Sequence, residues 1–290
     1  MPDGPIARTN SGAVWRGVPS KYLKLRAEAD EPAEMAPALH YRHAGVTTLP
    51  DVPPPLARGT AFVFLAGEGG SAAHFEPQIS ALAAAHSPLA LDLPGHGRST
   101  GLAGPSDLAA AAAVVSDALG RLAAPPAVLV GHGFGGWIAL AVALAAPDRV
   151  RAVCTLGTAS RCEWPEAELE KLEAVVSGRS GQFFDTPFFA AGTAPDVMRA
   201  FFGALVTTDP RVRLDDLRIH RDALPLADLG RLGVPVRVVR GAEDSLCTAE
   251  GAAELASACG VDVDEIAGAG HVPQLEQPEA VNALLREVGA

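Results

Sequence analysis

Basic residues are scarce in this chain. It has 23 lysines and arginines against 34 aspartates and glutamates, which gives a formal net charge of −11. Nucleic acids and anionic membrane surfaces are bound by basic protein surfaces. The charge therefore argues against both as partners, and it says nothing positive about a substrate.

Long apolar runs and paired cysteines are missing as well. The longest apolar run, Trp137 to Ala146, is too short to span a bilayer. The opening stretch, MPDGPIARTNSGAVWRG, has no apolar segment long enough for a secretory signal. The cysteines show no C-x-x-C spacing, which favours free thiols over disulfides or a zinc site; they are Cys154, Cys162, Cys247 and Cys259. These features predict a cytoplasmic location.

Cofactor-binding motifs are not found either. The sequence contains no Walker-type phosphate loop, and no dinucleotide fingerprint follows its first central strand-like run. We therefore expect neither a cofactor nor a metal ion.

Apolar residues, by contrast, make up 48% of the chain, and many form short unbroken runs followed by helix-like segments. Runs without alternation indicate strands buried on both faces, and strands that alternate with helices indicate a parallel sheet covered on both sides. The runs are AFVFLA (61–66), PLALDL (88–93), AVLVGH (127–132), RAVCTLG (151–157), VPVRVVRG (234–241) and VDVDEIAG (261–268). The predicted fold class is α/β with a mostly parallel, doubly wound sheet. Two further strands are predicted near the N-terminus, at 21–27 and 38–43.

One long stretch, from about Ala159 to Asp222, has no strand-like run. Its helix-like pieces are Trp164 to Ser177, FFAAG at 188–192 and Val197 to Val206. Its phenylalanines fit either ordinary core packing or an apolar wall over a pocket. We predict a tail at residues 1–18, a core of residues 19–158 and 223–290, and an inserted helical cap at residues 159–222.

The stretch VLVGHGFGGWIAL, residues 128–140, has the pattern of a catalytic turn without its catalyst. A strained strand-turn-helix of the G-x-S-x-G type needs small residues on both sides of its central serine. Here the flanking glycines Gly131 and Gly135 are present, but the central residue is Gly133.

Two later stretches carry polar residues that suit chemistry. Asp244 follows a buried strand-like run, where ligands bind in parallel sheets. From the sequence alone, a role as a helix N-cap is an equal alternative for this residue. His271 lies in a glycine-rich loop after the last strand-like run, although a lone histidine there is usually structural.

Taken together, the order of turn, acid and histidine resembles the α/β-hydrolase family, here in the form with a helical cap. The shared stretches are DLPGHGRS (92–99), GHGFGG (131–136), GAED (241–244), and AGH (269–271) with LEQP (275–278). The resemblance covers roughly residues 35–288.

The resemblance implies a role for each matching position. Asp244 would orient His271, and His271 would act as the general base. The backbone N–H of Phe134 would form half of an oxyanion hole. The other half would come from the loop at 64–75, where the family commonly has His-Gly and this chain has Ala66-Gly67, so that Glu68 is the donor.

The departures from the family's pattern concern activity. Without a side chain at Gly133 no acyl-enzyme can form. Glu68 is interpreted as a solvent-facing loop residue, but two alternatives stay open. An ionised carboxylate turned inward would oppose the negative charge of an oxyanion, and in a dry pocket the group would be a partly protonated acid. Ser71 and Cys247 are weak candidates for a surrogate nucleophile. His132 is expected to point into the sheet, away from the pocket, and His74 and His96 are interpreted as structural.

Three hypotheses remain open at this stage. The chain is an enzyme that acts on a small, largely apolar carbonyl compound, an ester, lactone or diketone, through His271 and Asp244. Alternatively, it is a variant of a serine hydrolase from which the nucleophile has been removed. The third hypothesis is a non-catalytic protein that binds a small ligand beneath its cap; the fold alone does not decide between them.

Overall fold

The computed structural model describes residues 20–24, 38–43, 56–161, 164–184, 189–221 and 224–290. The predicted tail at residues 1–18 lies outside these ranges, as do residues 25–27 of the first predicted strand.

The described residues form one sheet of eight strands. In chain order these are β1 (Ser20–Lys24), β2 (Ala38–His43), β3 (Ala61–Leu65), β4 (Ser87–Leu91), β5 (Ala127–His132), β6 (Val150–Leu156), β7 (Val236–Gly241) and β8 (Val263–Ile266). Their order across the sheet is β1-β2-β4-β3-β5-β6-β7-β8. β2 is antiparallel to both β1 and β4, and every other neighbouring pair is parallel. The predicted α/β class and mostly parallel sheet are confirmed.

Helices cover the sheet on both faces. The helices of the described residues are α1 (Glu76–Leu82), α2 (Leu108–Arg121), α3 (Phe134–Ala145), α4 (Glu166–Val176), α5 (Pro195–Leu205), α6 (Pro210–Arg221), α7 (Leu226–Leu229), α8 (Ala249–Cys259), α9 (Pro273–Glu276) and α10 (Pro278–Gly289). Successive side chains of a strand point to opposite faces. Val63 and Leu65 of β3 thus pack in one apolar core with α2 and α3, whereas Phe62 and Phe64 pack in another with α1 and α10. This is why the strands appear as unbroken apolar runs, and it confirms the doubly wound arrangement.

The segment between β6 and β7 contains α4 to α7 and no strand in its described part. Helix α6 was not among the predicted helices. The prediction of a helix at FFAAG is wrong for Phe189–Gly192, which forms a turn. There the N–H groups of Ala190 and Ala191 donate to the carboxylates of Glu276 and Glu243 instead of entering a helix. The domain boundaries remain a prediction.

The sheet and α3 meet very closely at the end of β5. A Cβ atom placed on Gly131 would lie 2.2 Å from the carbonyl oxygen of Gly135. Both groups are backbone, so no side chain can move aside. Only glycine at position 131 lets the chain reverse directly from strand into helix.

We expect Gly131→Ala to lower the free energy of unfolding by about 3 kcal/mol or more, because overpacking against backbone forces the strand and helix apart. Urea denaturation of the purified variant measures this. The control is Gly203→Ala on α5, where an added Cβ meets no atom within 4 Å. That change should stabilise the helix by up to about 1 kcal/mol. Equal stability of Gly131→Ala and the parent chain would contradict the close approach.

Candidate active site

The turn between β5 and α3 places Gly133 at the carboxyl edge of the sheet. Its backbone has φ +49° and ψ −117°, a conformation that side-chain-bearing residues rarely adopt. Its N–H donates to the carbonyl of Leu156, and its carbonyl accepts from the hydroxyl of Thr158. The turn is therefore held on both sides in the strained geometry that presents a central side chain to a crevice, although it has no side chain to present.

Asp244 and His271 come together from the turns that follow β7 and β8. Nδ1–H of His271 donates to Oδ2 of Asp244 at 3.0 Å, and both side chains are buried. Oδ1 of Asp244 accepts from the backbone N–H groups of Leu246 and Cys247. Thr248, not Asp244, caps α8. Of the two roles that the sequence left open for Asp244, its contacts match that of orienting the histidine.

This pairing changes the proton affinity of both groups. Burial lowers the pKa of His271, but the charge and hydrogen bond of Asp244 and the nearby charge of Glu68 outweigh it, so the pKa is raised above its ordinary value. Burial raises the pKa of Asp244, yet its contacts with His271 and the backbone lower it overall. An ionised carboxylate thus makes His271 a stronger base.

Glu68 does not have the environment expected from the sequence. It is only 8% exposed, and its Oε1 accepts a hydrogen bond from Nδ1 of His220 on α6. Burial raises the pKa of Glu68, but the charge and hydrogen bond of His220 and the charge of His271 lower it to about 2. The solvent-facing interpretation of Glu68 is therefore wrong, because the side chain is buried against His220. The lowered pKa also opposes a protonated acid, so the contacts favour the third alternative, an ionised carboxylate turned inward.

A small cavity of about 10 Å³ lies among these side chains, which is about the space that one water molecule needs. It is lined by Gly67, Glu68, Gly70, His74, His132, Trp164, Phe201 and His271. The expectation that His132 points into the sheet is wrong. Its ring centre lies 4.8 Å from that of His271, and its Nε2–H donates to the His271 carbonyl. Because residue 67 is glycine, the imidazole has room beside it.

The remaining predicted residues lie around this centre. Gly67 lines the cavity, whereas Phe134 and Ser71 are not among its lining residues. Phe134 begins α3 directly after Gly133, and Ser71 precedes a short 3-10 turn at Ala72–Phe75. Cys247 is buried beside Ala159 and Ala252, and burial raises the pKa of its thiol, as expected for a structural cysteine. His96 pairs with Asp216 and is also outside the cavity lining.

Sequence reasoning missed two residues, His220 and Trp164. His220 lies at the end of α6, and Trp164 lies just before α4, both far from the core motifs in the chain. The sequence feature that relates to them is the length of the segment between β6 and β7. Its length indicates that the segment covers the edge of the sheet, but it does not indicate which of its side chains reach the site. Neither residue belongs to a motif.

Neither a metal site nor a membrane-spanning helix is found in the described part of the chain. In it, no group of three or more histidine, cysteine, aspartate or glutamate side chains is arranged to hold a metal ion. None of its helices combines the length and the apolar character needed to cross a bilayer. The expectation that the protein uses no cofactor stays a prediction.

With fold and site in view, comparison with known families is informative. The sequence matches the alpha/beta hydrolase family over residues 62–284, and the chain belongs to this family. Its homologues include esterases, lactonases and other hydrolases of small molecules.

Individual relatives show the breadth of that family. The chain is 31% identical, over 77% of its own length and 62% of the relative's, to the dihydrolipoyllysine-residue acetyltransferase component of an acetoin cleaving system of Pseudomonas putida. It is also 31% identical, over 66% of its length and 78% of the relative's, to a pimeloyl acyl-carrier-protein methyl ester esterase of Chromobacterium violaceum. The first curated relatives are matched over only 40% to 62% of their own length.

A solved structure supports the fold in the same way. The enol-lactonase of Burkholderia xenovorans LB400 superposes with a TM-score of 0.76 at 23% identity, covering 87% of this chain and 96% of that one. At this identity the similarity concerns the fold.

We expect a measurable conflict between a side chain at position 133 and the Glu68 carboxylate. A Cβ atom placed on Gly133 would lie 2.9 Å from Glu68 Oε2. Gly133→Ala should lower the free energy of unfolding by about 1–3 kcal/mol through backbone strain and this contact. In a Glu68→Ala background the contact disappears and only the strain remains. A double-mutant cycle by urea denaturation should show a coupling of about 0.5 kcal/mol or more.

The matched background is Glu168→Ala, which removes another buried glutamate that does not line the cavity. There, Gly133→Ala should be as destabilising as in the parent chain. If Gly133→Ala lowers the free energy of unfolding equally in the parent, Glu68→Ala and Glu168→Ala chains, then Glu68 does not contact position 133.

Proposed function

We propose that this protein is a cofactor-independent hydrolase that cleaves a small, largely apolar carbonyl compound, such as an ester, lactone or diketone, without an acyl-enzyme. His271 would be the general base that activates a water molecule, and Asp244 would orient it. The observation that carries the proposal is the buried His271–Asp244 hydrogen bond of 3.0 Å beside a cavity of about 10 Å³. Such a cavity admits the water, and the pair supplies the base.

Charge that develops on the carbonyl oxygen needs donors. The backbone N–H of Phe134 follows the strained Gly133 and starts α3, so the positive end of the helix dipole supports it. The N–H of Glu68 interacts with its own carboxylate. We therefore assign the oxyanion to the backbone N–H of Phe134 first.

The comparisons favour cleavage next to a carbonyl group. Two of the similar proteins are named for this chemistry, one as a methyl ester esterase and one as an enol-lactonase. Both reactions break a bond between an acyl carbon and oxygen. An ester or lactone is accordingly the substrate class that we would test first.

We also propose that residues 159–222 act as the cap over this site. Trp164 and Phe201 belong to this segment and line the cavity. Their position supports the proposal that the segment forms one wall of the site. The free thiols of Cys154 and Cys247 favour a reducing compartment, so we propose the cytoplasm.

The two other hypotheses are affected differently by Glu68. In a parent enzyme with serine at position 133, the Cβ would lie 2.9 Å from Oε2 at the end of the Glu68 side chain, and a small shift of that side chain would accommodate it; the contact therefore leaves this hypothesis open. A ligand-binding protein without catalysis is the second candidate. The ionised Glu68 carboxylate favours it, because negative charge close to the carbonyl opposes an oxyanion.

We expect His271→Ala to lower kcat/KM for dihydrocoumarin or p-nitrophenyl acetate by about 10²- to 10⁴-fold, since a general base contributes on that scale. Steady-state absorbance assays on the purified protein measure the effect. His86→Gln, outside the cavity lining, is the control and should keep the parent rate. Unchanged turnover in His271→Ala would refute the role of the base. Absence of turnover in the parent, with a ligand that raises Tm, would favour the binding protein.

The pH dependence follows from the raised pKa of His271. A general base works only when deprotonated, so kcat/KM should rise with pH and level off above the ordinary histidine range. Asp244→Asn removes the negative charge that does most to raise the pKa of His271. The midpoint of the rise in kcat/KM should therefore move to lower pH. A profile that falls through this range would assign His271 the role of an acid instead.

A further inference from the structure

The two carboxylate oxygens of Glu68 face different neighbours. Oε1 is held by His220, and Oε2 is the atom nearest to a Cβ placed on Gly133, at 2.9 Å. The hydroxyl of a serine at position 133 would extend from that Cβ into the same space. One oxygen of Glu68 is thus held by His220, and the other lies beside position 133, where the family has its nucleophile.

The anchor itself is firmly placed. His220 is 5% exposed, and its ring stacks at 6.2 Å from that of Phe134, the residue after Gly133. His220 comes from α6, whereas Glu68 follows β3. A carboxylate buried at this depth is stable only with such a partner.

Two histidines supply further polar atoms around the cavity. Nε2–H of His74 donates to the carbonyl of Phe201, and Nε2–H of His132 donates to that of His271. Burial lowers the pKa of His74 to about 4 and that of His132 to about 3, so both rings are neutral. Each Nδ1 is therefore an acceptor, and neither has a partner within the described ranges. Buried acceptors beside a one-water cavity favour a bound donor such as water.

We propose that Glu68, anchored by His220, replaces the missing serine by holding the attacking water against His271. This rests on the proposed function, because it assigns a further catalytic residue to the same reaction. Glu68 accepts a hydrogen bond from one O–H of the water, and His271 faces the other.

The reaction then balances without any further reagent. The water oxygen forms a bond to the carbonyl carbon while its proton passes to Nε2 of His271. The hydrogen on the remaining O–H stays directed at Glu68. As the tetrahedral intermediate collapses, the bond to the leaving oxygen breaks and His271 returns its proton to that oxygen. Glu68 carries its charge throughout and neither forms nor breaks a covalent bond.

The first test needs no substrate. Imidazole NMR titration of ¹⁵N-labelled protein follows His271, whose signal is identified by its loss in His271→Gln. Glu68→Gln keeps the size of the side chain and removes its charge, so the pKa of His271 should fall by about one unit. Glu168→Gln, the matched change at a buried glutamate outside the cavity lining, should leave it unchanged. An equal pKa in the parent chain and in Glu68→Gln would overturn the proposal.

The second test uses dihydrocoumarin hydrolysis. Glu68→Gln should lower kcat about 100-fold with a smaller effect on KM, because the water loses its position, and should move the pH profile to lower pH. His220→Gln, which keeps the carboxylate but loses the anchor, should lower kcat in the same direction and serves if Glu68→Gln does not fold. Equal or faster turnover in Glu68→Gln would overturn the proposal, as would an acylated Glu68 peptide in mass spectra of acid-quenched enzyme. If the parent chain does not turn over the probes, the proposed function fails, and the NMR result still decides whether Glu68 acts on His271.

Discussion

Pairing of buried carboxylates with histidines is the interaction on which the functional edge of this molecule depends. In the described part of the chain the pairs are His40–Asp92, His96–Asp216, His220–Glu68 and His271–Asp244. A buried charge without a partner is strongly unfavourable. The pairs connect β2, the loops that follow the parallel strands, and α6. In the site itself, the charges of Asp244 and Glu68 raise the pKa of His271.

Much of the core could be predicted from the sequence, because its signals are local. Strands covered on both faces are mostly apolar, as in β3 (AFVFL) and in β5 up to its last residue (AVLVGH). The Asp244–His271 pairing was foreseen for a different reason. The resemblance to the α/β-hydrolase family implies it, through the order of turn, acid and histidine along the chain. In the structure both residues follow strands at the carboxyl edge of the parallel sheet, where neighbouring loops converge.

The environment of Glu68 could not be predicted, since its partner is 152 positions away in the chain. The helix that carries the partner, PRVRLDDLRIHR, is rich in charge, and nothing local says which of its polar side chains are buried. His132 was misjudged because the alternation of a strand puts its last residue on one face, whereas its environment depends on the space left by glycine at position 67. Both errors concern tertiary contacts that no local pattern encodes.

The position of His220 on α6 has a consequence for how a compound could enter the site. If the proposed hydrolysis takes place here, the cavity of about 10 Å³ is too small for an ester or lactone, and the side chains of Trp164 and Phe201 that line it must move to admit one. Helix α6 lies in the same segment between β6 and β7 as Trp164 and Phe201. A movement of this segment that includes α6 would also separate His220 from Glu68. In the open form Glu68 would then lack its His220 contact and the site would be inactive. Closure around the bound compound would restore both the contact and the activity.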